Sequence, residues 1–142
     1  MKKINVKYCR DIESIKKISK GDLIDLRAAE DVEMKAGEFK LISLGIAMQL
    51  PKGYMAKIYP RSSTYKNFGI IQANSTGIVD YSYRGDKDVW MFPAIALRDT
   101  VIHKNDRICQ FEICKVPKKF KFIEYAFFNT DSRGGIGSTG TK

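Results

Sequence analysis

Apolar and polar residues alternate in short runs along most of this chain. INVKY (4–8) sets Ile4, Val6 and Tyr8 on one side, and LISLGIAMQL (41–50) sets Leu44, Ile46, Met48 and Leu50 on one face. YMAKIYP, FGIIQAN, TGIVDYSY, DVWMFPAIAL, RICQFEI and KFKFIEY follow, each of strand length. Between them stand KAGE, PKG, NSTG, RGDKD, HKND and KVPKK, which carry the residues that turns require. FGIIQANSTGIVDYSYRGD (68–86) predicts a hairpin with strands over 68–73 and 77–83, closed by NST. Helical periodicity is poor. RSSTYKNF (61–68) predicts one short helix with Ser62 or Ser63 as its N-cap, and residues 10–20 fit a helical turn or a charged loop. The pattern predicts a single all-β domain over residues 1–130, a sandwich or barrel, followed by an arm over 131–142. The arm ends in RGGIGSTGTK, where Ile136 is the single apolar residue, and such an end is expected to be mobile without a ligand.

Composition narrows the class. With 142 residues, 44% of them hydrophobic, the chain can bury a real core. No apolar run approaches the roughly 18 residues of a membrane span, and the basic N-terminus lacks a signal peptide's apolar stretch, so a cytoplasmic protein without a membrane partner is expected. Cys109 and Cys114 lie five apart, face opposite ways on a strand and should not pair. A single histidine, His103, leaves no His-rich metal site and no evident Ser–His triad. The net charge of +9 suits either a nucleic acid or a solvated surface helped by a polyanionic small molecule. Scattered lysines and the absence of a nucleic-acid-binding motif favour the small molecule.

Five stretches carry candidate chemistry. PRSST (60–64) offers Arg61 as a bidentate phosphate ligand, with Ser62 or Ser63 as hydroxyl donor, at the start of a helix whose dipole attracts anions. The 68–86 hairpin offers main-chain donors and acceptors to a base, with Asn74 adding an amide. Asp80 could act as a general base for water and Tyr83 could stack on a sugar, but residues three apart share a site only if the strand bends or ends there. In NDRICQFEI (105–113), Gln110 faces away from whatever Cys109 and Phe111 cover. In IDLRAAED (24–31), Asp25 could pair with an arginine or hold the water shell of a metal, and Asp25, Glu30 and Asp31 together would suit magnesium. The glycine, serine and threonine tail with Arg133 has the makings of a phosphate cradle.

Taken in order, IDLRAAED, PRSS, NSTGIVDYSYRGD, NDRICQ and RGGIGSTG resemble the five motifs of the trimeric dUTP diphosphatases (dUTPases), over about Gly21 to Gly140. The resemblance implies a jelly-roll-like β fold, a homotrimer with active sites shared between subunits, and Mg²⁺ as cofactor. It implies hydrolysis of dUTP to dUMP and pyrophosphate by water attack at the α-phosphate, which keeps uracil out of DNA and supplies dUMP for dTMP synthesis. Asp80 matches the water-activating aspartate, and Tyr83 the tyrosine that packs on deoxyribose. Asn74, Gly77 and Val79 match the uracil-reading hairpin, while Arg61, Ser62, Ser63 and Gln110 match phosphate contacts. Asp25 matches the carboxylate that orients magnesium-bound water. Arg133, Ile136, Gly137, Ser138 and Thr139 fall in the arm that closes a neighbouring subunit's site.

The chain departs from the family pattern in places. Ser82 stands where many members have a second acid, Ile136 where many have a phenylalanine over uracil, and Arg133 sits nearer GSTG than usual. Trp90 or Phe92 could replace the missing aromatic or be core or interface residues, the reading favoured here. Two other readings are a dCTP deaminase and a basic nucleic-acid or regulatory module. The first needs a glutamate at the cytosine amine, for which the hairpin offers no candidate. The second leaves the order of the five motifs unexplained.

Overall fold

A computed structural model describes residues 1–142. The strands are β1 (Asn5–Tyr8), β2 (Ile24–Arg27), β3 (Val32–Met34), β4 (Phe39–Ser43), β5 (Ile46–Gln49), β6 (Tyr54–Pro60), β7 (Ile70–Gln72), β8 (Gly77–Val79), β9 (Met91–Ala96), β10 (Thr100–Ile102) and β11 (Arg107–Lys115). One short helix, α1 (Thr64–Phe68), follows β6. Every pairing is antiparallel. Two sheets run β2–β11–β6–β8 and β4–β9–β7, and two ribbons pair β1 with β5 and β3 with β10. Strands remote in sequence therefore lie side by side, as in a jelly roll.

The alternation read from the sequence explains the best-formed strands. In β6, Ala56 and Ile58 are buried while Lys57 and Tyr59 are partly exposed. In β11, Cys109 and Phe111 are buried and Gln110 lies on the other face. Trp90 meets Phe111 edge-on at 5.4 Å between ring centres, beside Phe92, in a core lined by both main sheets. Trp90 and Phe92 are thus core residues, 1% and 0% exposed. All three cysteines are free, and no helix is long and apolar enough to cross a membrane.

Three expectations are corrected and one open alternative is decided. LISLGIAMQL is not one strand: Gly45, at φ +69°, divides β4 from β5, which pair with β9 and β1 respectively. A Cβ at Gly45 would come within 2.9 Å of the Ala29 Cβ, so the crossing is open to glycine alone. Residues 68–86 do not close on themselves as a hairpin: β7 pairs with β9, β8 pairs with β6, and residues 73–76 carry the chain from one sheet to the other. The 10–20 segment is a loop, fastened by Glu13 to Arg27 at 3.1 Å and by the Ile15 N–H to the Tyr8 hydroxyl at 2.8 Å.

Last, KFKFIEY forms no strand. The N–H of Val116 donates to the Gly53 carbonyl at 2.9 Å, and beyond it no hydrogen bond returns to the body. Phe120, Phe122, Ile123, Tyr125, Phe127 and Phe128 are all exposed. A strand needs a neighbour for its N–H and C=O groups, and the single chain offers none. Within the single chain, strand structure thus ends with β11.

Candidate active site

One cluster forms where β2, β6 and β11 lie side by side. Gln110 of β11 stands opposite Asp25 of β2 and Tyr59 of β6. Asp25 is 13% exposed at its side chain and is gripped twice, by Arg61 Nε at 3.1 Å on Oδ1 and by Arg107 Nη1 at 3.1 Å on Oδ2. Arg61 Nη1 also donates to the Arg107 carbonyl at 3.0 Å, and Gln110 Nε2 to the Pro60 carbonyl at 3.1 Å. One carboxylate between two guanidinium groups leaves a net positive patch whose side chains are held in place. Beside it, Arg61 and Ser62 line a cavity of about 320 Å³ with Tyr65, Gln72 and Ser75.

The helix contributes less than expected. α1 has five residues, and its N-cap, Ser63, makes no side-chain capping bond. Little dipole accumulates over so short a run, so the positive charge here is that of Arg61 and Arg107. Two residues of this cluster were not anticipated. Arg107 lies 82 residues from Asp25 in sequence and reaches it from the bulged end of β11. Thr64 is buried, and its hydroxyl accepts from the Arg61 N–H at 2.7 Å and donates to the Ile108 carbonyl at 2.8 Å, locking the PRSST turn onto β11. A buried threonine at a helix start carries no sequence signal that separates it from the serines before it.

The three carboxylates of IDLRAAED are not gathered. Asp31 accepts from the Lys104 N–H at 2.8 Å and Glu30 is exposed, away from Asp25. No three His, Cys, Asp or Glu side chains come together as a direct metal cage. Asp25, with lone pairs left beyond its two arginine contacts, fits a cation held through water and substrate oxygens.

A second cavity, of about 280 Å³, gathers Asn74, Gly77, Val79, Asp80 and Tyr83, with Trp90 in its wall. β8 stops at Val79, and the Tyr83 N–H donates to the Asp80 carbonyl at 3.1 Å. This turn is the strand end that residues three apart require to share one site. The Tyr83 hydroxyl donates to the Val89 carbonyl at 2.8 Å, which fixes the ring. Burial, then the charge of Asp88, raises the phenol's pKa above its ordinary value, so it stays a neutral donor at physiological pH. Arg84 stacks on Tyr81 at 4.3 Å and donates to the Leu50 carbonyl at 3.0 Å, pinning the turn from outside. Ser82 is exposed in this turn.

The segment 72–77 borders both cavities, but Asp80 and Arg61 lie at opposite ends of the β6–β8 ladder. Ala56 pairs with Val79 and Ile58 with Gly77. Extending that register puts Asp80 opposite Met55, and Arg61 lies six residues further along β6 (61 − 55), about 20 Å away. The tail joins neither cluster: Arg133 Nη1 lies 3.4 Å from Ser138 Oγ, and Ile136, Gly137, Ser138 and Thr139 are exposed.

The dUTPase family profile matches residues 11–140. The chain belongs to the dUTPase family. It is 58% identical over 140 residues to the SPbeta prophage-derived deoxyuridine 5'-triphosphate nucleotidohydrolase YosS of Bacillus subtilis, covering 98% of this chain and 99% of that one. Among solved structures, the dUTPase of Staphylococcus bacteriophage 80alpha with dUpNHpp superposes with a TM-score of 0.76 at 22% identity, over 99% of this chain and 100% of that one. A mutant dUTPase from phage phi11 of Staphylococcus aureus, described with a structural Mg(II) ion, gives 0.75 at 14% identity, over 91% and 100%.

Proposed function

We propose that the protein hydrolyses dUTP to dUMP and pyrophosphate, as a homotrimer whose active sites are each shared between subunits. One observation carries the shared site: the general-base candidate Asp80 and the phosphate ligand Arg61 stand about 20 Å apart in one chain, too far to serve one triphosphate. The exposed aromatics of residues 120–128 support assembly, because they need a second copy to cover them. The name of the 58% identical relative supports the substrate.

In this reading the Asn74–Tyr83 cavity of one subunit takes the deoxyuridine. Main-chain groups at Gly77 and Val79, with the Asn74 amide, read uracil, and a mispaired buried edge would cost about 1–3 kcal/mol per group. The Tyr83 ring packs on the sugar and leaves no room for a 2′-hydroxyl. Arg61, Ser62, Ser63 and Gln110 of a second subunit take the phosphates, with Arg107 and Asp25 holding Arg61 in place. The arm from residue 131 of a further subunit closes the site through Arg133, Gly137, Ser138 and Thr139, with Ile136 over the base.

Asp80 takes a proton from water as the water oxygen bonds to the α-phosphorus and the bond to the bridging oxygen breaks, releasing pyrophosphate. Mg²⁺, when bound, neutralises charge on the phosphate oxygens. Asp25 would hold it through water, as the single carboxylate of its cluster. The reaction belongs in the cytoplasmic nucleotide pool, where it keeps uracil out of DNA and supplies dUMP for dTMP synthesis.

The test is pyrophosphate release from dUTP against dCTP, dTTP and UTP, with and without Mg²⁺. Selective turnover of dUTP is expected. Ammonia release from dCTP would point to deamination instead, and salt-sensitive DNA binding without turnover to a nucleic-acid module.

A further inference from the structure

The turn at 73–76 carries the chain between two sheets, and one side chain crosses with it. Gln72 ends β7 and is 6% exposed. Its Nε2 donates to the Ile58 carbonyl of β6 at 3.0 Å. Ile58 is the ladder partner of Gly77, the first residue of β8, and the same Nε2 lies 3.3 Å from where a Gly77 Cβ would stand. Gln72 thus starts the turn with its backbone and, with its side chain, holds the strand on which the turn lands.

The turn is tied at its start by the Ala73 N–H, which donates to the Pro93 carbonyl of β9 at 2.8 Å, while past that point its main-chain bonds are local, from Ser75 N–H to the Gln72 carbonyl at 3.1 Å and from Thr76 N–H to the Asn74 carbonyl at 2.6 Å. Its placement therefore depends on its anchors. The amide's orientation follows from Ile58 alone, because Oε1 has no donor in the chain and reversing the group would set two oxygens face to face. An apolar side chain would fill this volume without burying an unmatched acceptor. The polar residue is explained by what it holds.

We infer that Gln72 is a positioning residue for base recognition. Its bond to Ile58 sets the distance between the Asn74 amide and the Gly77 main chain, and so the spacing of donors and acceptors presented to a pyrimidine edge. This rests on the reading of the Asn74–Tyr83 cavity as the uracil site.

Gln72→Met keeps the volume and removes the bond. Two readouts are compared with wild type: amide hydrogen exchange over residues 73–77, and KM, kcat and the dUTP/dCTP selectivity ratio. The expected result is faster exchange in this turn, a KM for dUTP raised about tenfold with kcat within about twofold, and a smaller selectivity ratio. A folded variant with unchanged KM and selectivity would overturn the inference, as would a fall in kcat that leaves selectivity intact. If the methionine variant does not fold, Gln72→Leu is read in the same way, since it too has no donor for the Ile58 oxygen. Should the wild type fail to hydrolyse dUTP, the uracil-site reading fails, while the exchange comparison still decides whether Gln72 holds the turn.

Discussion

Asp80 and Asp25 are the two carboxylates of the candidate site, and their surroundings differ. Asp80 is exposed at the mouth of the Asn74–Tyr83 cavity, free to meet a water. Asp80→Asn keeps the size and loses the proton acceptor, so kcat should fall ~10²–10⁴-fold while a titration still shows nucleotide binding. Asp25 is enclosed by Arg61 and Arg107. Asp25→Asn should leave two guanidinium groups repelling each other, with about 1–3 kcal/mol of stability lost in urea unfolding and a higher KM for dUTP. A third residue gives a test of the core itself. Cys109 is fully buried, and burial, then the Asp25 carboxylate, pushes its thiol pKa far above the ordinary value. The thiolate is the reactive form, so at mildly alkaline pH a thiol reagent should modify the partly exposed Cys9 and Cys114 and reach Cys109 only on unfolding.

At the scale of elements, alternation was a good guide where both neighbours of a strand lie in the chain. β6 and β11 follow it, and their pairing brings Gln110 Nε2 to the Pro60 carbonyl, next to Arg61 in sequence. It failed where alternation continued across a change of sheet. Leu44, Ile46 and Met48 keep their period through Gly45, whose positive φ is invisible to a hydrophobic pattern. NST at 74–76 has hairpin chemistry, yet the partners of β7 and β8 are set by remote strands. Arg107 was missed for the same reason, because its contact with Asp25 exists only after β2 and β11 pair. KFKFIEY has a strand's pattern without a partner in its own chain. Truncation therefore has two expected outcomes. Ending the chain after Thr130 should leave the sedimenting mass and melting temperature nearly unchanged but strongly reduce turnover. Ending it after Val116 also removes the exposed aromatics and should weaken assembly, seen as a lower mass at micromolar concentration.

At the scale of the molecule, a charge of +9 suits a tetra-anionic substrate and steers it toward arginine-lined clefts. In the proposed assembly no single chain holds a complete site. Two inactive variants test it: Asp80→Asn, which lacks the base, and Arg61→Gln, which lacks the phosphate ligand but leaves Asp25 its bond to Arg107. The two are unfolded together in equal amounts, refolded and assayed for pyrophosphate release from dUTP. If Arg61 and Asp80 of one site come from different subunits, random mixing gives about a quarter of the sites both native residues. The mixture should regain about a quarter of wild-type activity. A mixture no more active than the two variants refolded apart would contradict a shared site.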